Sequence, residues 1–386
     1  MAPDRFREVT TTSWFGRIGE SIKGILFGFV LIAGSGILIF WNEGRAVNRA
    51  KTLSEGAKAV ITISAERVDP ANEGKLVHLV SQATTTETLT DAEFGIATPA
   101  LKLRRKAEMY QWKEQEKKET KKNTGGSSTT TTTTSYDKTW AESLIDSSRF
   151  KHPEGHKNPS AMIYSSREVT AQNITAGAFT LSRSLVNRID SYADLPFTSA
   201  GQWPEAMRAK AKLNEGKAYF GADPHAPQIG DVRVSFAVVK PVTVSLVARQ
   251  VKNSFESFIS KSGGELELLE VGEFSAAELF RQAGQMNLLL TWGLRLGGLL
   301  LMWLGFALVF RPLSVLADVV PLFGNIVGFG TGLVALLLAS LFSVLTAAVA
   351  WLFYRPVLSM ILAVGVGALV GGIIWLKKRV AAPPRR

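Results

Sequence analysis

The sequence predicts an α+β membrane protein with four transmembrane helices and a large, strand-rich α+β domain inserted between the first and second of them. Two observations predict this class. Long uncharged apolar runs lie near both ends of the chain. Most charged residues lie between these runs, in segment 42–286, where β-forming residues are frequent.

The apolar runs define the predicted spans. They cover residues 24–41, 287–310, 324–352 and 357–376. No small-residue cleavage site follows the first run, so we expect an uncleaved anchor rather than a signal peptide. Arg295 lies near the start of the second span, where it can snorkel to the interface beside Trp292; an ion relay is the alternative for this residue.

Basic residues near the helix ends predict the orientation. The amphipathic tail 1–23 and the tail 377–386 are both rich in Lys and Arg, which places both termini in the cytoplasm and requires an even number of spans. The insert 42–286 is then extracytoplasmic. The connection 311–323 is apolar and contains two prolines, so we expect it to lie in the cytoplasmic interface.

Most of the insert is predicted to form strands. Two β-prone arms flank Asn123-Thr-Gly-Gly and predict a long hairpin with a mobile tip at 117–122, with a low-complexity threonine linker as the alternative. The segments 231–239 and 242–250 are predicted strands joined by a tight turn at Lys240-Pro241. A helix capped by Ser275 and Glu278 is predicted to run into the second span.

The stretch "LKLRRKAEMYQW" at 101–112 combines an apolar alternation with four basic and two aromatic residues. We interpret it as a partly covered sheet with a basic edge that can meet lipid headgroups or an acidic partner. Nucleic acid is not expected on the outer side of a membrane. The candidate contact residues are Arg45, Arg104, Arg105 and Trp112.

Little in the sequence indicates catalysis. The chain has no cysteine, which excludes thiolate metal sites and a cysteine nucleophile. No phosphate loop, nucleophile elbow or dinucleotide fingerprint occurs. His152 and His156 have the spacing of a helical metal site, but Pro153 and Gly155 argue against a helix. We therefore expect no catalytic set, metal or cofactor, and the net charge of +11 favours anionic lipids as partners.

Several strings occur in an order that resembles one family. They are "NEGRA" (42–46), "NEGKLVHL" (72–79), "LKLRRKAEMYQW" (101–112), "GHKNPSAM" (155–162), "GDVRVSF" (230–236), "TWGLR" (291–295) and "WLFYRP" (351–356). Together they resemble the transmembrane protein 43, or LUMA, family, and the absence of cysteine suits a bacterial member.

The resemblance implies four spans, cytoplasmic or nucleoplasmic tails and a luminal domain. It implies self-association and organisation of envelope proteins such as lamins and emerin in animals, in the endoplasmic reticulum and inner nuclear membrane. In a bacterium the location is the inner membrane. The resemblance implies no enzymatic activity.

The sequence leaves two functional hypotheses. The first is a non-enzymatic scaffold that self-associates and organises other membrane proteins through its extracytoplasmic domain. The second is a lipid-binding or lipid-modifying protein whose headgroup site, between the domain and the outer leaflet, contains Arg295, Arg355 and His156. A channel is disfavoured because no span shows a paired charge. Glycine pairs four residues apart, at 24/28, 328/332 and 367/371, fit helix packing within one chain or between copies.

Overall fold

The computed structural model describes residues 5–357, 359–361, 364, 365, 368, 371 and 372. The chain divides into two compact units. The strand-rich unit contains Met1–Val9, Thr52–Glu119 and Thr131–Ala283, and the helical unit contains Thr10–Lys51, Thr120–Thr130 and Gly284–Arg386.

Three of the helices in the described residues, α1, α4 and α5 below, are long and apolar enough to cross a membrane. The helices are α1 (Trp14–Ala59), α2 (Arg183–Asn187), α3 (Glu205–Arg208), α4 (Ala276–Ala317) and α5 (Pro321–Tyr354). The predicted fourth span, 357–376, lies largely outside the described residues. The predicted connection 311–323 is shorter than expected, because α4 continues through Pro312 to Ala317 and α5 begins at Pro321.

The strands form two large sheets and two small hairpins. They are β1 (Arg5–Thr12), β2 (Ile61–Thr62), β3 (Leu76–Thr84), β4 (Thr88–Asp91), β5 (Ile96–Pro99), β6 (Lys102–Lys122), β7 (Ser128–Ala141), β8 (Arg167–Thr170), β9 (Thr175–Ala176), β10 (Phe179–Thr180), β11 (Ala193–Asp194), β12 (Lys212–Asn214), β13 (Lys217–Phe220), β14 (Val232–Val239), β15 (Val242–Val251), β16 (Ser254–Glu256), β17 (Phe258–Ile259), β18 (Glu265–Leu266) and β19 (Leu268–Val271).

One sheet has the order β1-β7-β6-β14-β13-β12, and the other has the order β10-β9-β3-β15-β16. β8 and β11 join the first sheet, while β2 and β19 join the second. A single hydrophobic core contains residues of both sheets, such as Leu103 and Val234 from the first and Leu79 and Leu246 from the second. The two sheets therefore pack against each other, as in other sheet-on-sheet domains.

The tight turn predicted at Lys240-Pro241 joins two sheets rather than two paired strands. β14 pairs with β6, with Val232 opposite Met109, whereas β15 pairs with β3, with Leu246 opposite Leu79. Each strand has a neighbour on both sides within its own sheet, so its backbone groups are paired without the other strand.

The threonine-rich arm forms a hairpin and not a linker. β6 and β7 are adjacent strands, and their turn is closed by a hydrogen bond from the Asn123 amide to the Ser127 carbonyl at 2.9 Å. Gly125 and Gly126 supply the positive φ values of this turn. Strand β1, which the sequence analysis did not predict, pairs with β7, so consecutive β-branched threonines lie between two neighbours.

The core of the helical unit is formed by one face from each of α1, α4 and α5. Ile39, Met302 and Ala339 are buried against one another. α1 and α4 approach closely at Gly28, where an added Cβ would lie 2.7 Å from the carbonyl oxygen of Gly305. Gly28, of the 24/28 glycine pair, therefore serves helix packing within one chain.

Candidate functional site

A fully buried carboxylate lies where α1, α4 and α5 meet. Glu43 follows the predicted first span by two residues and has no solvent exposure. Arg295 of α4 donates from Nε and Nη2 to the two carboxylate oxygens, at 2.6 and 2.9 Å. The indole Nε1 of Trp351 in α5 donates to Oε2 at 2.7 Å. One acidic side chain thus joins three helices through a bidentate ion pair and an indole hydrogen bond.

Aromatic rings surround the Arg295 guanidinium. Its central carbon lies 4.7 Å from the centre of the Trp292 ring and 6.0 Å from that of Trp351. The arrangement combines ion pairing with cation–π contacts, which suits the planar, weakly hydrated guanidinium better than a lysine ammonium.

A second group of hydrogen bonds extends this site by one helical turn. Asn42 donates to the Thr291 carbonyl at 3.0 Å, and Asn287 donates to the Ala46 carbonyl at 3.1 Å. Arg45 contacts the side chains of Asn42, Asn287 and Thr291 at 3.0 to 3.3 Å. We call the set Asn42, Glu43, Arg45, Asn287, Thr291, Arg295 and Trp351 the Glu43 cluster.

The Glu43 cluster is suited to holding helices together rather than to chemistry. Three donors from the same chain bind the Glu43 carboxylate, which is shielded from water, and they stabilise its charged form. Pairing also cancels two charges that would be costly to leave alone near hydrocarbon.

The structure corrects the prediction that no span carries a paired charge. Arg295 does lie beside Trp292, as expected, but it is paired with Glu43 rather than alone. The candidate contact Arg45 and the candidate headgroup residue Arg295 belong to the Glu43 cluster. Arg355, the second headgroup candidate, is the C-terminal cap of α5 and lies 5.9 Å from the ring centre of Trp351. A signal for this site was available in the sequence, because Asn287, Thr291 and Arg295 recur every four residues and therefore share one face of α4.

The basic residues of 101–112 do not form one exposed edge. Arg105 is 7% exposed and pairs with Asp91 and Glu93. Lys102 is also buried. Arg104 is half exposed, where it pairs with Glu168 and lies over the Tyr192 ring. Of the two candidate arginines in this stretch, only Arg104 presents its guanidinium at the surface of the strand-rich unit.

Trp112 and His156 belong to one packed group within the strand-rich unit. His156 is 2% exposed, stacks on Tyr136 and meets the Trp112 ring edge-on at 4.8 Å. Asn158 accepts from the Trp112 amide at 2.7 Å and donates to the Trp112 carbonyl at 2.9 Å. The "HKNPS" turn thus fixes β6, and the buried His156 ring has no free surface for a lipid headgroup.

The His152–His156 pair forms no metal site in the described part of the chain. Residues 152–156 form a turn rather than a helix, and no group of three or more potential ligands converges anywhere in the described residues. His152 instead stacks on Phe6 of β1.

A second polar cluster lies at the other end of α1, within the helical unit. Asp318, in the turn between α4 and α5, is 1% exposed and pairs with Arg17 of α1 and with Lys122 at the hairpin tip. The Gly125 amide donates to the Val319 carbonyl at 2.9 Å, and Arg17 donates to the Gly126 carbonyl at 2.6 Å. We call Arg17, Lys122 and Asp318 the Asp318 cluster.

The Asp318 cluster brings together three segments that the sequence analysis assigns to different sides of the membrane. Residues 1–23 and 311–323 are predicted to be cytoplasmic, and the hairpin is predicted to be extracytoplasmic. Direct ion pairs require the tip, Arg17 and Asp318 to lie on one face. The predicted side of the tip is therefore a specific point for experiment.

Comparison with known proteins identifies the family. The family model described as Transmembrane protein 43 matches residues 109–356. The chain is 36% identical over 377 residues to Transmembrane protein 43 of Homo sapiens, covering 95% of this chain and 92% of that protein. It is 37% identical over 369 residues to the Rattus norvegicus protein, covering 93% and 90%.

The chain belongs to the transmembrane protein 43 family. A Drosophila melanogaster homolog is 31% identical over 340 residues, covering 86% of this chain and 89% of that protein. No solved structure gives a significant match. Family membership and the three apolar helices establish a membrane protein with a strand-rich unit, as the resemblance implied.

Proposed function

We propose that this member of the transmembrane protein 43 family is a non-enzymatic membrane scaffold that self-associates and organises other membrane proteins. The observation that carries the proposal is that the buried charged groups of this chain are paired with one another. The Glu43 cluster, the Asp318 cluster and Arg105 are occupied by partners inside the chain. This pattern supports a role in holding a shape that others bind, rather than in converting a substrate.

One exposed face of α1 supports self-association. Phe27, Val30, Ile37 and Trp41 are each more than half exposed and recur at helical spacing. Gly34 lies in the same stripe, and an added Cβ there would meet nothing within 4 Å. A glycine on an open apolar face allows a second helix to approach closely in a bilayer.

The mass of the native assembly, measured in lipid without detergent, tests this function. We expect more than one copy per particle, and we expect Gly34→Leu to shift the population toward single copies without changing the thermal midpoint. A single copy at every protein concentration would contradict the scaffold.

The proposed location follows from the sequence rather than from the fold. We propose the inner membrane in a bacterium, with cytoplasmic termini and a domain that is extracytoplasmic apart from the hairpin tip, which pairs with Asp318. In a eukaryote the corresponding location is the endoplasmic reticulum and inner nuclear membrane. The alternative headgroup site at Arg295, Arg355 and His156 receives no support, since Arg295 is paired and His156 is buried.

A further inference from the structure

A cavity of about 450 Å³ lies beside the Asp318 cluster, within the helical unit. Its lining is mostly polar. The lining includes Arg17, Thr120, Lys122, Thr130, Arg311 and Ser314. Three basic and two acidic side chains line the cavity, together with several hydroxyl groups.

Buried Asp318 fixes two of the three cations in place. Arg17 and Lys122 bind different oxygens of its carboxylate, so both acceptor positions are occupied. Asn325 accepts a second hydrogen bond from Lys122 at 3.1 Å. The two basic side chains therefore need no reorganisation before a ligand arrives, which reduces the entropic cost of binding.

Arg311 is the cation without a partner. Its side chain is exposed, and among the described residues it makes no ion pair or hydrogen bond. Arg311 and Ser314 lie three residues apart on α4 and therefore share one face of the helix, and Asp318 follows in the turn after α4. Arg311 thus adds an unpaired guanidinium beside the fixed cations Arg17 and Lys122, and this guanidinium can bind an anion bidentately.

The position along the helices indicates which anion is available. Arg311 directly follows the apolar run 287–310, and Arg17 precedes the run 24–41 by two helical turns. Both therefore lie at the level of lipid headgroups if these helices cross a bilayer. Hydroxyls of the hairpin tip complete the lining, with Thr120 Oγ1 and Thr130 Oγ1 3.0 Å apart.

We propose that this cavity binds the phosphate of an anionic phospholipid headgroup. Arg311 provides the free charge, and Arg17 and Lys122 provide a fixed positive field. One hydroxyl of the Thr120–Thr130 pair donates to the other, and the remaining hydroxyl can donate to a phosphate oxygen. The Ser314 hydroxyl is bonded to Thr331. Glu20, at the exposed rim, disfavours ligands that carry more negative charge than the basic residues can balance. Inorganic phosphate offers the same chemistry and is the second source to be tested.

Titration of the purified full-length chain with dioctanoyl phosphatidic acid, followed by native mass spectrometry, tests the proposal. We expect one bound lipid in the wild type and at least about tenfold weaker binding in Arg311→Gln, because a hydrogen bond to a charged group is lost. Lys23→Gln is the matched control. It removes a neighbouring exposed charge outside the cavity lining, and binding should change less than about twofold.

Thr130→Val separates binding from folding, because it keeps the β-branched shape and removes only the hydroxyl. We expect weaker binding with an unchanged thermal midpoint. Binding of dioctanoyl phosphatidylcholine or dioctanoylglycerol as tight as that of phosphatidic acid would overturn the proposal, as would wild-type affinity in Arg311→Gln. Competition by inorganic phosphate at equal affinity would overturn the lipid source.

Discussion

Three donors from two other helices converge on the Glu43 carboxylate, and no part of that side chain reaches solvent. A buried ion pair of this kind contributes little net stability compared with well-packed apolar residues, but breaking it leaves an uncompensated charge. Removing one partner of the Glu43–Arg295 pair should therefore cost more stability than the intact pair contributes.

Glu43→Gln should destabilise the helical unit by about 3 kcal/mol, because Arg295 then keeps its charge without a carboxylate partner. The thermal midpoint of the full chain in detergent measures the effect. The double variant Glu43→Gln/Arg295→Gln should recover part of the loss, since no unpaired charge remains. A double variant that is less stable than Glu43→Gln would show that the pair itself drives stability.

Asn158 fixes strand β6 at Trp112 through both backbone groups of that residue. Asn158→Ala should lower the free energy of unfolding by about 2 kcal/mol, because a donor and an acceptor lose their partner. Asn158→Asp keeps only the acceptor, so its free energy of unfolding should lie between those of the wild type and the alanine variant. Faster hydrogen exchange at the Trp112 amide is the direct readout, and equal exchange in the two variants would contradict this role.

At the scale of secondary-structure elements, the β6–β14 pair carries a cross-strand charge group. Arg233 lies directly opposite Glu108 and donates to it at 2.7 Å, while Lys106 lies 3.0 Å from the other carboxylate oxygen. Burial raises the pKa of Glu108, but the hydrogen bonds from Arg233 and Lys106 outweigh it and hold the pKa below its usual range. The folded state therefore favours the ionised carboxylate.

The contribution of Glu108 should disappear in acid. A lowered folded-state pKa gives stability that is present above the unfolded pKa of about 4.3 and is lost as pH falls through the folded value. Amide hydrogens of β6 and β14 should therefore exchange faster in Glu108→Gln than in the wild type at pH 7. At a pH low enough to protonate Glu108, both proteins carry a neutral side chain at this position and their exchange rates should be equal. Glu66→Gln, at an exposed position, is the control and should leave the exchange rates unchanged at both pH values.

Helix packing provides a matched pair of glycines on α1. Gly28 faces the backbone of α4, whereas Gly34 faces open space. Gly28→Leu should separate α1 from α4 and lower the thermal midpoint, because an added Cβ already collides with a carbonyl oxygen. Gly34→Leu should leave the midpoint unchanged, and the reverse order of effects would contradict the assigned faces.

For the whole molecule, the side of the membrane on which the hairpin tip lies determines whether the Asp318 cluster can form. From Arg17 to Glu43, α1 rises about 39 Å at 1.5 Å per residue, more than the roughly 30 Å of bilayer hydrocarbon. The Asp318 and Glu43 clusters thus lie on opposite faces if α1 crosses the bilayer. Because the chain has no cysteine, single introduced thiols report their side without background.

Thr124→Cys and Val319→Cys should be labelled by an impermeant maleimide from the same face, and Lys51→Cys from the other. The basis is the hydrogen bond between Gly125 and Val319. Labelling of Thr124→Cys together with Lys51→Cys would instead support the sequence-based orientation and rule out the Asp318 cluster in the membrane.

Local patterns were enough to predict the secondary structure of most segments. Leu101, Leu103, Ala107 and Met109 predicted one apolar face of the stretch 101–112, and all four are buried. Ser275 and Glu278 cap α4 as expected, with reciprocal hydrogen bonds. These features depend on neighbours a few residues apart, so the sequence contains them directly.

The sequence by itself predicted four apolar spans, of which three coincide with long apolar helices in the described residues, as well as the strand-rich insert and the family. It left the threonine arm open between a hairpin and a linker. Only the tertiary structure decided that Glu43 and Arg295, 252 positions apart, form one ion pair, that β14 and β15 belong to different sheets, and that the hairpin tip binds Asp318. The physical reason is that periodicity reports which face of an element is apolar. Partner choice depends on which distant side chains fit the same buried space.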